Sequence, residues 1–301
     1  MQSIHLPVLL HEVIENMGYT PGMVAVDATM NGGGHAREII KRIMPSGMFI
    51  GIDWDKEVLE QTESQIRTEC ASYDQSQLRF VWSNYARIAE VLKNEKIPAV
   101  DAILADLGFS SLQIEDARRG LSFLREGPLD MRYDIHSDKL PAYEIINSFS
   151  KEALADIMYV YGEERYARKI AQQIVEQRKK ERIYTTRELA ELIEHMVPRR
   201  HTKGIHPATR VFQALRIYVN GEFENIKKLL ADGIQVLAPK GRMGIISFHS
   251  LEDRIVKQTF KLWEEEGIAR VITKKPIIST DEEVNKNPRS RSAKFRIAEK
   301  I

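Results

Sequence analysis

Five short stretches carry side chains able to do chemistry. They are Asp27 through His35, Asp53, Asn84-Tyr85, Asp106-Leu-Gly-Phe-Ser-Ser111 and Ser247-Phe-His-Ser-Leu-Glu-Asp253. Gly32, Gly33 and Gly34 lack a Cβ, so backbone there can approach a ligand closely. Asp53 follows Gly34 by 19 positions, a spacing at which a carboxylate can accept hydrogen bonds from ribose hydroxyls. An adenosine-containing ligand is the reading. The glycines do not follow the G-x-G-x-x-G spacing of a pyrophosphate cradle, which favours S-adenosylmethionine over a dinucleotide. The plainer alternative is a tight turn followed by a solvated strand end.

Asp106 ends an apolar run, Val100-Asp-Ala-Ile-Leu-Ala-Asp106. A carboxylate there is costly unless paired or used. Enzymes that methylate exocyclic amines of bases often carry an acid or amide, two prolines and an aromatic at this place. Asp106-Leu-Gly-Phe109 has the acid and the aromatic but neither proline. An acceptor for an amine N–H would localise the lone pair and aim it at a methyl group; a simple turn cap accounts for the residue equally well. His249 beside Ser250 is not read as a nucleophile and base, because no G-x-S-x-G elbow is present; substrate positioning or helix capping suits both. The histidines show no H-E-x-x-H spacing, and a protein-ligated metal is not expected.

These residues need a scaffold, and the chain supplies strand–helix alternation. Strands are expected at 23–30, 48–53, 78–82 and 100–106, with helices over 35–44, 56–69 and 86–94, implying a parallel sheet with right-handed crossovers. In such sheets ligands bind at the carboxyl ends of the strands, where the first four stretches fall. From 115 to 218 strand signals vanish. Helices are expected over 151–160 behind Ser150, over 163–180, over 187–196 behind a Thr185 or Thr186 capping box, and over 208–218, with a polar linker from Pro198 to Pro207. Alternation then returns: a helix over 222–237 stopped by Ala238-Pro-Lys-Gly241, a buried strand 242–248, a helix to about 266 opened by a Ser250 capping box, and two last strands, 270–278 and 293–299. The expected organisation is an α/β domain, 1–114 and 219–301, with an inserted helical domain, 115–218.

Composition and charge narrow the class. The 301 residues are 43% hydrophobic and 29% charged, which excludes a disordered or fibrous chain. No run of ~18 apolar residues is present to span a membrane. The N-terminus does not read as a signal peptide, and the single Cys70 excludes an internal disulfide and a cysteine-based zinc site. A cytoplasmic protein without a membrane partner is expected. Net charge is −6 over 1–114, +3 over 115–218 and +4 over 219–301, which suggests a polyanion meeting part of the surface. Candidate phosphate contacts are Arg178-Lys-Lys180, the Pro198–Lys203 run, Arg210 with Arg216, and the Asn287–Arg296 segment with Arg289 and Arg291.

Longer stretches add a resemblance. Gly32-Gly-Gly-His35, Gly51-Ile-Asp53, Asp106-Leu-Gly108 with Ser110-Ser111 and Gln113, Gly127-Pro-Leu-Asp-Met-Arg132, His206-Pro-Ala-Thr-Arg210, Phe212-Gln-Ala-Leu-Arg-Ile217, Ser247-Phe-His-Ser-Leu-Glu-Asp-Arg254 and Asn287-Pro-Arg289 follow in one order. In these the chain resembles, over nearly its full length, the bacterial ribosomal RNA small-subunit methyltransferase H family, also called the MraW family. The resemblance implies a Rossmann-like class I methyltransferase sheet with an inserted all-helical domain. It implies methyl transfer from S-adenosylmethionine to the N4 amine of a cytidine in 16S rRNA, in the decoding centre of the small ribosomal subunit near the P site. Cofactor contacts carried over by position are Gly33, Gly34, His35, Asp53, Tyr85, Asp106 and Gln113. Asp106 is the candidate for orienting the amine. Candidate substrate or RNA contacts are His206, Arg210, Arg216, His249, Ser250, Arg289 and Arg291.

The chain departs from the family at several points. Asn31 stands where glycine is common, Tyr85 where phenylalanine is, Phe109 where valine is and Leu112 where proline is, and the segment at 267–272 is short. Rival readings are a methyltransferase of DNA or another RNA, a non-catalytic RNA-binding assembly factor, and a nicotinamide dehydrogenase, the last disfavoured by the glycine spacing. Both a monomer and a homodimer remain open.

Overall fold

Seven strands form one sheet in the order β3-β2-β1-β4-β5-β7-β6. They are β1 (Val24–Asp27), β2 (Met48–Asp53), β3 (Leu78–Trp82), β4 (Val100–Asp106), β5 (Leu237–Ser247), β6 (Ala269–Val271) and β7 (Lys294–Lys300). The pairs β1–β2, β1–β4, β2–β3 and β4–β5 are parallel, while β7 runs antiparallel to both β5 and β6. This strand order, with β7 as the one strand antiparallel to its neighbours, agrees with the Rossmann-like methyltransferase sheet that the resemblance implies. The computed structural model describes residues 6–109, 111–135, 137–197 and 206–301.

Parallel strands covered on both faces read as continuous apolar runs, and these do. Alternate residues feed two cores. Val26, Ile50, Ile52, Ile103 and Ala105 join one. Ala25, Phe49, Ala102, Leu104 and Phe295 join the other. The covering helices are α1 (Leu10–Met17), α2 (Gly34–Ile43), α3 (Lys56–Glu69) and α4 (Ile88–Asn94). Phe49 and Phe295 are fully buried, and truncating either to alanine would cost roughly 3–5 kcal/mol.

The chain divides into two compact units, one of residues up to Gly108 together with Phe223–Ile301, the other Phe109–Glu222. The second holds α5 (Ser111–Glu115), α6 (Ala142–Ser148), α7 (Lys151–Gly162), α8 (Ala167–Lys180), α9 (Thr186–Glu194) and α10 (Thr209–Asn220). Helix α11 (Glu222–Val236) follows, then α12 (Ser250–Glu265) and α13 (Asp281–Lys286). Among the described residues, no helix is long and apolar enough to cross a membrane.

Several expectations are corrected. The helix expected from 163 begins at Ala167, because Glu163 takes φ 49° and closes α7. Ala238-Pro-Lys-Gly241 does not stop α11 before a later strand. It lies inside β5, which starts at Leu237 and shifts register between Val100 and Ala102 of β4. The strand expected over 270–278 is three residues long, followed by a lone bridge from Ile277 to Phe295. Helices α1, α6 and α13 were not expected. The basic run 198–203 and most of the 198–207 linker lie outside the described residues, as does Ser110.

Candidate functional site

The ends of β2, β1 and β4 stand side by side, about 4.8 Å apart. Asp27 pairs with Gly51 and Leu104, so Asp53 and Asp106 each lie two residues beyond it on the flanking strands. The loop after β1 is stitched to both neighbours. Ala28 N–H donates to the Leu104 carbonyl at 2.8 Å and Met30 N–H to the Ile52 carbonyl at 2.9 Å. Asp106 N–H donates to Thr29 Oγ1 at 2.6 Å. Asn31 N–H donates to Asp53 Oδ2 at 2.8 Å, and Asp55 N–H to Asp53 Oδ1 at 2.9 Å.

Conformation explains the loop residues. Asn31 sits at φ 46° and Gly33 at φ 73°. Asparagine is among the few side chains that tolerate the left-handed region, which is how Asn31 fits this turn. At Gly33 a Cβ would meet Thr62 Cγ2 at 2.6 Å, and at Gly34 it would meet Pro7 at 2.8 Å. The loop is therefore pressed between α3 and the N-terminal segment. His35, buried in the first turn of α2, places its Nε2 3.0 Å from the Val8 carbonyl. Tyr85 is buried and packs its ring 5.6 Å from that of Trp54.

Three carboxyls share this buried end. Burial pushes Asp106 up to about 8, and Glu252 adds to the rise. Burial pushes Asp53 up to about 6 against the pull of the Asp55 and Asn31 amides. Asp27 is raised well above the usual carboxylate range, by burial first and then by Asp106 and Asp53, against the pull of the Thr29 amide. Asp106 Oδ1 is buried and, among the described residues, has no hydrogen-bond partner. A ligand with cationic or N–H groups would relieve both the mutual repulsion and the orphaned acceptor.

The wall beyond β4 is the corner from β5 into α12. His249, not Ser250, caps α12: its side chain accepts from Glu252 N–H at 3.3 Å, and the Glu252 carboxylate accepts in return from the His249 and Phe248 amides. This is a capping box with histidine in the place of the expected serine. His249 Nε2 lies 3.2 Å from Glu252 Oε1 without hydrogen-bond geometry. Ser250 becomes the first helical residue. Gly108, at φ 96°, leaves a Cβ position 3.9 Å from Phe248.

The remaining predicted residues lie elsewhere. Gln113 is buried on α5 of the other unit. There Arg216 holds Glu222 through two hydrogen bonds of 2.8 and 2.9 Å, and its guanidinium lies over Phe109 at 4.7 Å. Its charge is matched by Glu222 inside that unit. His206 stacks on Phe123 at 4.5 Å, and exposed Arg210 donates to the Glu163 carbonyl at 3.2 Å. Arg289 and Arg291 are exposed in the turn before β7. Sequence reasoning missed Trp54, whose signal was its position directly after Asp53, and Glu252, which looked like an ordinary first-turn acid. The Pro7–Leu9 segment beside the loop is fixed by Leu9 N–H donating to Glu283 at 2.7 Å.

Comparison with known proteins adds the following. A model of the MraW methylase family matches residues 2–301. The chain is 41% identical to the ribosomal RNA small subunit methyltransferase H of Clostridioides difficile, over the whole of both chains. It is 47% identical to the protein of that name from Coprothermobacter proteolyticus, over 98% of this chain and 96% of that one. A solved putative rRNA methylase from Clostridium thermocellum aligns with 99% of this chain and all of that one, at 12% identity and a TM-score of 0.46.

Proposed function

The chain belongs to the MraW methylase family, and from that premise we propose that it methylates the N4 amine of one cytidine of 16S rRNA, using S-adenosylmethionine, in the decoding centre of the small subunit. The relatives' shared name supports small-subunit ribosomal RNA as the substrate. The observation that carries the amine chemistry is Asp106. It offers a buried Oδ1 at the end of β4 that has no partner among the described residues, beside a wall that includes Phe248. A cytosine N4 amine has two N–H donors, and a buried acceptor is what orients one of them.

The three carboxyls and the bare loop fit a cationic adenosyl ligand. Asp53 would take the ribose hydroxyls, Gly33, Gly34 and His35 would line the amino-acid end, and Tyr85 with Trp54 would flank the base. When bound, that cofactor supplies an electrophilic methyl group. Asp106 Oδ1 accepts an amine N–H and fixes the direction of the nitrogen lone pair, an orientation effect that needs no covalent enzyme intermediate. The target base must leave its stack to reach so buried an acceptor. Phe248 closes the wall and limits water. In this reading the unit of residues up to 108 and from 223 onward holds the cofactor, and 109–222 grips RNA with His206 and Arg210. The reaction belongs to the cytoplasm, where ribosomal subunits are.

The test uses labelled cofactor with small ribosomal subunits, naked 16S transcripts and duplex DNA, and maps methylated cytidines in rRNA from cells with and without the gene. We expect one N4-methylated cytidine in 16S rRNA that disappears with the gene. Label on DNA alone, or an unchanged rRNA map, would overturn the reading.

A further inference from the structure

We infer that the outer edge of the sheet unit, where α12 meets β6 and β7, is a second nucleic-acid contact that holds RNA backbone phosphate through Lys257 and Lys274. The inference rests on the reading of the substrate as RNA and adds a surface away from the glycine loop and the three carboxyls.

A cleft of about 160 Å³ lies there, lined by Lys257, Lys261, Thr273, Lys274 and Arg296, with Glu264 as its one acid. Arg296 is buried and donates to Asp253 at 2.7 Å, while Lys294 reaches the same carboxylate at 3.2 Å. One acid thus faces two bases. Lys261 is matched by Glu265 at 2.9 Å. Glu264 accepts from the Val271 amide at 3.2 Å. Lys257 and Lys274 are exposed, on two different elements, and among the described residues neither has an acidic partner. Lys227 and Lys228 of this unit sit in helical ion pairs with Glu224 and Asp232, whereas Lys257 and Lys274 stand unmatched at one cleft. Two unmatched ammonium groups around a concave floor that already carries surplus positive charge favour a bound anion over bare water.

Register gives the direction of this positive row. Lys294 pairs with Ser247, at the carboxyl end of β5, and Arg296 pairs with Ile245 two residues further in. The row therefore starts at the end of the sheet that holds Asp106 and runs down the strands toward the short edge strand β6. A chain of phosphates entering near the carboxyl ends of the strands would meet Lys294 there, with Lys257 and Lys274 exposed at the cleft that Arg296 lines. Lysine is suited to this as a mobile point charge without base specificity.

The test compares wild type, Lys257→Glu with Lys274→Glu, and a control pair, Lys227→Glu with Lys228→Glu, which makes the same change of net charge elsewhere. Binding to small ribosomal subunits is measured across a salt series, with adenosylhomocysteine affinity as the check on folding. Each lost phosphate contact flattens the slope of log K against log salt by about 0.7–0.9. We expect the cleft pair to weaken RNA binding at least tenfold at low salt and to flatten the slope by about 1.5. The control pair should leave the slope as in wild type, and all three proteins should bind adenosylhomocysteine alike. A cleft pair whose slope equals that of wild type or of the control overturns the inference while wild-type methylation of rRNA still stands. A wild type that neither binds nor methylates rRNA overturns the reading beneath it as well.

Discussion

Asp106 and Tyr19 show how one orphaned polar atom can mean opposite things. Among the described residues, both have a buried oxygen without a partner. The Asp106 oxygen stands at a strand end beside glycine and a ligand-sized set of acids, where an incoming N–H donor can reach it. Asp106→Asn keeps the shape but presents a donor or a weaker acceptor, and should lower methyl transfer at least ~10²-fold, while adenosylhomocysteine affinity falls far less. Near-normal turnover of that variant, measured with labelled cofactor, would remove Asp106 from the reaction. Tyr19 is packed among apolar side chains, and burial with the nearby Asp27 drives its hydroxyl pKa up. No donor or ligand is implied there. Tyr19→Phe should therefore stabilise the protein by ~1 kcal/mol, since the hydroxyl is desolvated without return. A denaturant midpoint that falls would show that the hydroxyl has a bonded partner. The acids at 53 and 106 were legible in the sequence because each closes an apolar run. Their linkage to Glu252 was not, because it depends on α12 folding back from β5.

The loop after β1 works as an element through two left-handed residues and neighbours pressed against it. Gly33→Ala puts a Cβ 2.6 Å from Thr62 Cγ2 and forces alanine to φ 73°, at a conformational cost of roughly 1–2 kcal/mol. Because the same loop anchors Asp53 through Asn31 N–H, the variant should lose cofactor affinity more than stability. Calorimetry against adenosylhomocysteine, alongside thermal melts, separates the two; equal losses would mean that the loop only supports the fold. The elements that hold this loop differ in how readable they were. Strands β2, β3 and β4 and helix α3 match their expected bounds because apolar period and end signals agree there. Helix α1 went unread since its cap is Leu9 at φ 54°, with no side-chain acceptor. Helix α13 buries no residue, so it has no apolar face to detect. The α12 cap was misplaced by one position because a histidine did the work usually given to serine. The long β5 escaped because a proline, and a lysine at φ 65°, look like a stop, yet pairing with β4 carries the strand through them.

At the scale of the whole molecule, the buried acids tie folding to pH and to the ligand. Their native pKa values are raised, to about 6 for Asp53 and about 8 for Asp106, and Asp27 moves the same way. The folded protein therefore holds protons that the unfolded chain has released above its ordinary carboxylate pKa of about 4. Stability from these groups is full below that value and is lost as pH climbs, first through about 6 and then through about 8. Ion-paired acids such as Asp116 and Asp253, held low by their arginine partners, act in the other direction and weaken the fold only under strong acid. The ligand-free protein should thus melt lower at pH 9 than at pH 6. A cationic ligand favours the ionised acids, so the thermal shift given by S-adenosylmethionine should grow over the same range. Binding at pH 7 should also release protons, seen as a calorimetric enthalpy that changes with the buffer. Asp106→Asn removes the upper step and should flatten the ligand-free profile between pH 7 and 9. If melting temperature instead stays level or rises from pH 6 to 9 without ligand, the three carboxyls are ionised and stabilised by contacts other than those described, and the charge-relief account of cofactor binding fails with them.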